Sequence, residues 1–367
     1  MTKKIRLIYN VSDTNKETVD MYKYKGKEVN FKIDIYPDVV PYLGGVGMKD
    51  FITDKVKCAD AWEKAKERFY AEFGESLPIY KVAPHPIAYM HLVALGAKLE
   101  MRDGGEPNIR PFASDIDEAI GILKSRENFD YASMKEANAL LELCEYLGKR
   151  FPDEGVSKFA GFGHEGPVTT AVLMRGSDFY CDIYEEPEKC KELLQLIAES
   201  SGRHANFVRL TSGGKINDYA YSICDDFAAL LPPDMMSEFV FPYWYVFGDT
   251  TTLDKPTRFF LHCEGVTARH LDTFHEAHIN HFQPSVSPAL VLSDMTPRIG
   301  TAYNEFDWLC YAFNVVNMSD NEIENFIEDS LEAGACNVRT QIGSYAFECG
   351  KTDRIKAWIR ATEKYKV

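Results

Sequence analysis

The segment Phe260-Leu261-His262-Cys263-Glu264-Gly265 carries the sharpest chemical signal in the sequence. In a strand, residues two apart point the same way, so His262 and Glu264 share a face while Cys263 points to the other. An imidazole and a carboxylate aimed at one point suit a first-row metal such as zinc. They equally suit a hydrogen-bonded pair in a polar pocket without metal. Gly265 marks the end of the strand, and in a barrel of parallel strands the C-terminal ends are where active sites are built. A second strand ends in Cys224-Asp225-Asp226. Adjacent carboxylates alternate sides, so only one of the two can face a site. There it would act as a general base or hold substrate, although loop acids and helix caps are equally ordinary roles for such a pair.

Two further motifs are weaker. Gly161-Phe162-Gly163-His164-Glu165-Gly166 fits G-x-G-x-x-G between a predicted strand and a helix. It lies mid-chain with Pro167 directly after it, and three glycines are common wherever backbone must turn tightly. The His164-Glu165 pair on that turn is its more informative part, because it can project into a pocket. His275, His278 and His281 are spaced by three and three, not by the four that a zinc-protease helix requires. They read as a polar helix face running into a turn, with His281 at a strand start. The chain has neither a G-x-S-x-G elbow nor a phosphate-binding P-loop, which removes support for serine-hydrolase and common phosphoryl-transfer chemistry.

The 367 residues must supply the elements that hold these groups. They are 45% hydrophobic and 26% charged, proportions that let a globular chain bury a large core. Asp and Glu outnumber Lys and Arg by 56 to 41, a net charge of −15 with no basic run, which argues against nucleic acid or an anionic membrane as partner. Nine cysteines without a C-x-x-C pair, and a start without an apolar leader stretch, lead us to expect reduced thiols and a cytoplasmic location. Predicted strands are 158–163, 218–224, 258–265, 280–285, 311–317 and 335–343, with amphipathic helices between them. Among the helices, one carries Cys58, Trp62, Ala65 and Phe69, one starts near Pro187, one follows Ser319, and the last runs from Thr352 to Tyr365. Strand–helix alternation over some 200 residues calls for a parallel sheet wrapped by helices. The number of units favours an α/β fold of the (β/α)₈ TIM-barrel type, with residues 1–75 as an N-terminal extension and 76–367 as the barrel.

Several segments, in order, resemble the uroporphyrinogen decarboxylase superfamily. They are Gly166-Pro167-Val168-Thr169-Thr170-Ala171, Arg175-Gly176, Glu186-Pro187-Glu188-Lys189 to Leu193-Leu194, Asp225-Asp226, Phe239 to Pro242-Tyr243, and His262-x-Glu264-Gly265. The resemblance implies a (β/α)₈ barrel. True uroporphyrinogen decarboxylases grip their substrate's carboxylates with an arginine-rich N-terminal segment, which is absent here, and a charge of −15 suits a polyanionic substrate poorly. The corrinoid-linked methyltransferase branch instead holds zinc with a His-x-Cys-Gly segment and a late Cys. Here the histidine is His262, the second position is Glu264, and Cys349 is the expected third ligand. Cys336 lies near the start of the final strand, at the end away from the site. Likeness to that branch implies a zinc-dependent methyltransferase, moving a methyl group between a small-molecule donor or thiol acceptor and a corrinoid (cobalamin) protein. His164 and Asp226 would orient substrate. A metal-free decarboxylase in which Asp226 handles the proton, and a non-catalytic barrel that binds a corrinoid protein or a ligand, are the alternatives.

Overall fold

The computed structural model describes residues 21–102, 105–156 and 163–367. Its centre is a seven-stranded sheet. In chain order the strands are β1 (Tyr22–Tyr24), β2 (Lys27–Ile35), β5 (Ala220–Cys224), β6 (Arg258–His262), β7 (Ile279–Gln283), β8 (Tyr303–Cys310) and β9 (Asn337–Ile342). The strands β3 (Glu100–Arg102) and β4 (Gly105–Asn108) form a separate antiparallel pair. The spatial order is β1-β2-β9-β8-β7-β6-β5, and every pair is parallel except β1 with β2.

Register brings the C-terminal ends of the strands together. Cys224 pairs with His262, His262 with Gln283, and Ile35 with Ile342. Beyond β5, backbone bonds continue sideways: Gly166 N donates to Cys224 O at 2.6 Å, and Gly163 N donates to Ile87 O at 2.8 Å.

The helices begin and end where local chemistry dictates. Asp54 caps Lys55–Phe73 by accepting from Val56 N and Lys57 N, and Gly74 at φ +59° ends that helix. Pro187 occupies the first turn of Pro187–Thr211. Ser319 and Glu322 form a reciprocal cap on Asp320–Glu332. The buried faces of these helices cover the sheet, with Trp62, Trp244 and Trp358 fully enclosed. Among the described residues, no helix is long and apolar enough to cross a membrane.

Two expectations change. Residues 27–35, expected to lie in an N-terminal extension, form β2 and pair in register with β9 from Asn30–Asn337 to Ile35–Ile342. The boundary expected at residue 75 therefore does not follow an edge of the sheet. The strand expected at 311–317 instead spans Tyr303–Cys310, while Ala312–Val315 is helical. The reason is that β8 carries Glu305 and Asp307 among its apolar residues, so it looks polar in sequence, whereas the apolar run after it folds back as a helix. The strand expected at 158–163 falls almost wholly outside the described residues.

Candidate functional site

Asp225 and Asp226 divide their work as adjacent residues must. Asp225 is fully buried and accepts from Val168 N (3.3 Å), Thr169 N (2.7 Å) and Trp244 Nε1 (2.8 Å). Burial pushes its carboxyl up to about 6, against the pull of those hydrogen bonds. It thereby occupies the N-terminus of helix Pro167–Arg175, where a bound pyrophosphate would otherwise sit. Gly163 and Gly166 are explained by crowding instead. A Cβ on either would come within 2.5 Å of Ala88 Cα or Asp225 Cβ. The two described glycines of the G-x-G-x-x-G run thus allow segments to approach one another, and the helix they precede has no free anion site.

Asp226 faces the other way. Its Oδ1 accepts from Glu264 N at 2.9 Å and stands 3.5 Å from His262 Nε2, while Glu264 Oε1 lies 3.7 Å from the same nitrogen. His262, Asp226 and Glu264 therefore meet at the C-terminal ends of β5 and β6, with a carboxylate on either side of the imidazole. All three are partly open to solvent.

More carboxylates and three phenols surround this point. Burial beside Asp226 and Asp225 pushes the Glu165 carboxyl well above its usual range. Burial, assisted by Asp38, also raises Glu106. Tyr89 is raised by burial and by the charges of Glu165, Glu106 and Asp226. Tyr36 and Tyr311 are raised by burial, and Glu264 adds to both. Tyr89 and Glu106 also line a cavity of about 540 Å³ with Arg102, Gly105, Pro107 and Asn108. The mouth is thus acidic and edged by aromatic rings.

Behind His262 lies a polar chain. The Gln283 side-chain amide is 2.8 Å from His262 Nδ1, and on its other side it meets the Arg339 guanidinium. Arg339 donates through Nε and Nη2 to Asp34 Oδ2 (2.9 and 2.6 Å) and through Nη1 to Asp307 Oδ2 (2.9 Å). Asp307 Oδ1 is 2.6 Å from His281 Nε2 and also accepts from Asn337 Nδ2. His281 Nδ1 lies 3.3 Å from Glu305 Oε2 and 3.9 Å from Cys336 Sγ. Among the described residues, His281, Asp307 and Cys336 form the one group of three such side chains whose ligand atoms come within 4.8 Å of one another. This group can hold a metal ion by geometry, but its atoms already form a network of hydrogen bonds and ion pairs. Burial alone would lower His281, yet hydrogen bonds to Asp307, Cys336 and Glu305 carry it up to about 11. Asp307 is held below the usual carboxylate range despite burial, chiefly by His281 and then by Arg339.

The expected site residues separate accordingly. His262, Glu264 and Asp226 converge. Cys349 does not join them: Gly343 and the short helix Ser344–Glu348 follow β9 directly and leave Cys349 exposed at the helix end. His164 is stacked on Phe247 with ring centroids 5.3 Å apart and lies edge-on to His204 at 6.3 Å. Burial lowers it to about 4. It is a packing residue, and its neighbour Glu165 is the member of the pair that feels the carboxylates of the mouth. Sequence reasoning missed Tyr36, Tyr89, Glu106, Gln283 and Arg339. An arginine between Val338 and Ile342 in a buried strand was the available signal, because a buried cation must find partners.

The family model for uroporphyrinogen decarboxylase (URO-D) matches residues 87–295, more than half of the chain. The chain belongs to the URO-D family. A solved methyltransferase from Methanosarcina mazei is similar to it with a TM-score of 0.63 at 16% identity, over 92% of this chain and 94% of that one. That likeness supports the fold. A B12-independent methionine synthase from Shewanella sp. W3-18-1, solved with selenomethionine, gives a TM-score of 0.46 at 10% identity, over 91% and 97%. No curated protein matches the chain. For this URO-D member, the zinc set expected from the methyltransferase branch does not fit the mouth. Of the expected ligands His262, Glu264 and Cys349, the one thiolate, Cys349, is missing there and stands exposed on the helix end.

Proposed function

We propose that this URO-D protein is a methyltransferase that takes a methyl group from a neutral or cationic small-molecule donor and passes it to a corrinoid carried by a partner protein. The observation that carries this reading is the meeting of Asp226 and Glu264 at the imidazole of His262 at the C-terminal end of the sheet. Such a field repels a polyanionic porphyrinogen and admits an ether or an amine. In the reading, the sheet closes into an eightfold barrel, with the backbone around Ile87 and Gly163 standing where the remaining staves belong.

The corrinoid supplies the electron pair of the new carbon bond. The C–O or C–N bond of the donor breaks with its own pair left on the heteroatom. An alkoxide or phenoxide is a poor leaving group, so a hydrogen bond from His262 to that atom, with Asp226 and Glu264 beside the ring, stabilises the developing charge and lowers the barrier. Tyr36, Tyr89 and Tyr311 present ring faces that suit a methylated, electron-poor carbon or an ammonium. No step passes through zinc.

A carrier protein requires somewhere to land. Leu230, Val286, Phe313 and Tyr345 are exposed, and each follows the C-terminal end of a strand. They supply apolar contacts around the mouth. The nine free thiols suit a reducing cytoplasm.

The test offers the purified protein reduced cobalamin with tetramethylammonium, trimethylamine or a methyl aryl ether, and follows methylation of the corrinoid by its absorption spectrum. Protein-dependent methylation from one of these donors is the expected result. Carbon dioxide release from uroporphyrinogen, without methylation from any donor, would return the family's metal-free decarboxylase chemistry to the front.

A further inference from the structure

We infer that Arg339, acting through the amide of Gln283, fixes the proton of His262 on Nε2, so that this histidine meets substrate as a hydrogen-bond donor and not as a metal ligand. The inference rests on the proposed reading only for the identity of the substrate. The proton's position derives from the network itself.

A guanidinium has five N–H donors and no acceptor. Three of Arg339's donors are taken by Asp34 and Asp307. The other two, one each on Nη1 and Nη2, face the Gln283 side chain, with Nη2 at 3.2 Å. Only the amide oxygen can answer them, which turns the amide nitrogen toward His262 Nδ1 at 2.8 Å. That orientation is assigned from the donors and acceptors around it. An amide N–H donates, so Nδ1 must accept and the neutral ring must carry its hydrogen on Nε2. Gln283 and Arg339 are 5% and 8% exposed, which leaves little water to satisfy the opposite arrangement.

The consequence concerns metal chemistry directly. A metal-bound histidine donates its second N–H to a carboxylate or carbonyl, which leaves the ligating nitrogen bare. His262 has the reverse arrangement: a donor behind Nδ1 and, in front, Nε2 standing 3.5 Å from Asp226 Oδ1 and 3.7 Å from Glu264 Oε1. A donor heteroatom meeting Nε2 would receive a hydrogen bond. Gln283 and Arg339 are thus positioning residues.

Long-range proton–nitrogen NMR of the full chain with labelled histidine, without corrinoid or methyl donor, reads the tautomer at a pH where the ring is neutral. His262→Ala assigns the signals among the nine histidines. Nδ1 is expected to show a pyridine-like shift and Nε2 a pyrrole-like one. Gln283→Glu offers an acceptor to both neighbours and is expected to reverse the pattern. A pyrrole-like Nδ1 in the unaltered protein would overturn the inference, even if Gln283→Glu fails to fold. So would stoichiometric zinc, taken up from zinc chloride and lost in His262→Ala. Neither result depends on methyl transfer, so failure here is distinguishable from failure of the proposed function.

Discussion

Strands β6 and β7 are neighbours in register, and each offers a histidine to two carboxylates, yet the two sites are built to opposite ends. His281 is enclosed with Asp307. Its partners stand at 2.6 and 3.3 Å, and Arg339 and Asn337 use the remaining acceptors. His262 keeps its carboxylates at 3.5 and 3.7 Å and retains access to solvent. A histidine whose hydrogen bonds are all made within the protein can only hold structure. One that is partly open to solvent, with its carboxylates at longer range, can also meet a ligand. The inner site has the tighter cluster of ligand atoms, and the outer one is partly open to solvent.

The comparison can be broken from either side. The largest effect is expected at the mouth: His262→Ala should lower methyl transfer about 10²–10³-fold, the range for loss of one hydrogen-bond donor to developing charge, with little change in thermal midpoint. An equal loss of stability would mean that His262 is structural. At the inner site, Asp307→Ala removes the buried carboxylate that His281 and Arg339 share and leaves them only Glu305 and Asp34, and removing one partner of a buried pair costs about 3–5 kcal/mol. Urea unfolding measures that loss directly, and a variant as stable as the parent would show that the network contributes nothing.

Acid should weaken the interior. Burial holds His85 and His164 down to about 4 and His91 down to about 3, so they are neutral in the folded protein. Below about 6.5 the unfolded chain binds protons that the folded one refuses. These groups therefore contribute stability above that pH and lose it as pH falls toward 4. Urea midpoints measured across this window should decline with acid. A flat profile would mean that the buried rings gain protons in place. The smallest effect is expected on the rim. Phe313→Glu should slow transfer to a protein-bound corrinoid about tenfold, the scale of 1–2 kcal/mol for a contact residue. Transfer to free cobalamin should be unaffected. Equal slowing with both would place Phe313 in the site and not in the docking surface.

What could be read from the sequence was limited by the reach of local rules. His262 and Glu264 emerged because alternation along one strand needs no partner, and Asp226 because strand ends are recognisable. Helix starts at Pro187 and Ser319 were legible for the same reason. The Gln283–Arg339 contact was not, since it joins residues 56 positions apart and exists only once β7, β8 and β9 are in register. Cys349 was chosen by position along the chain, and the short helix after β9 takes it to an exposed end. His164 looked reactive beside Glu165. Which of two adjacent residues faces a pocket depends on the turn, and there Phe247 receives the imidazole ring.

The crowding at Gly163 and Gly166 also limits how this protein can diversify. Neither position tolerates a methyl group without displacing residues 88 or 225, and Asp225 is itself committed to a helix end and to Trp244. Those two glycine positions are therefore closed to variation, while the acids at 106, 165 and 264 lie outside that crowded contact. New substrate preferences would arise by exchanging those three groups on an unchanging backbone. A selection for altered donors should sample them together and leave the glycines alone.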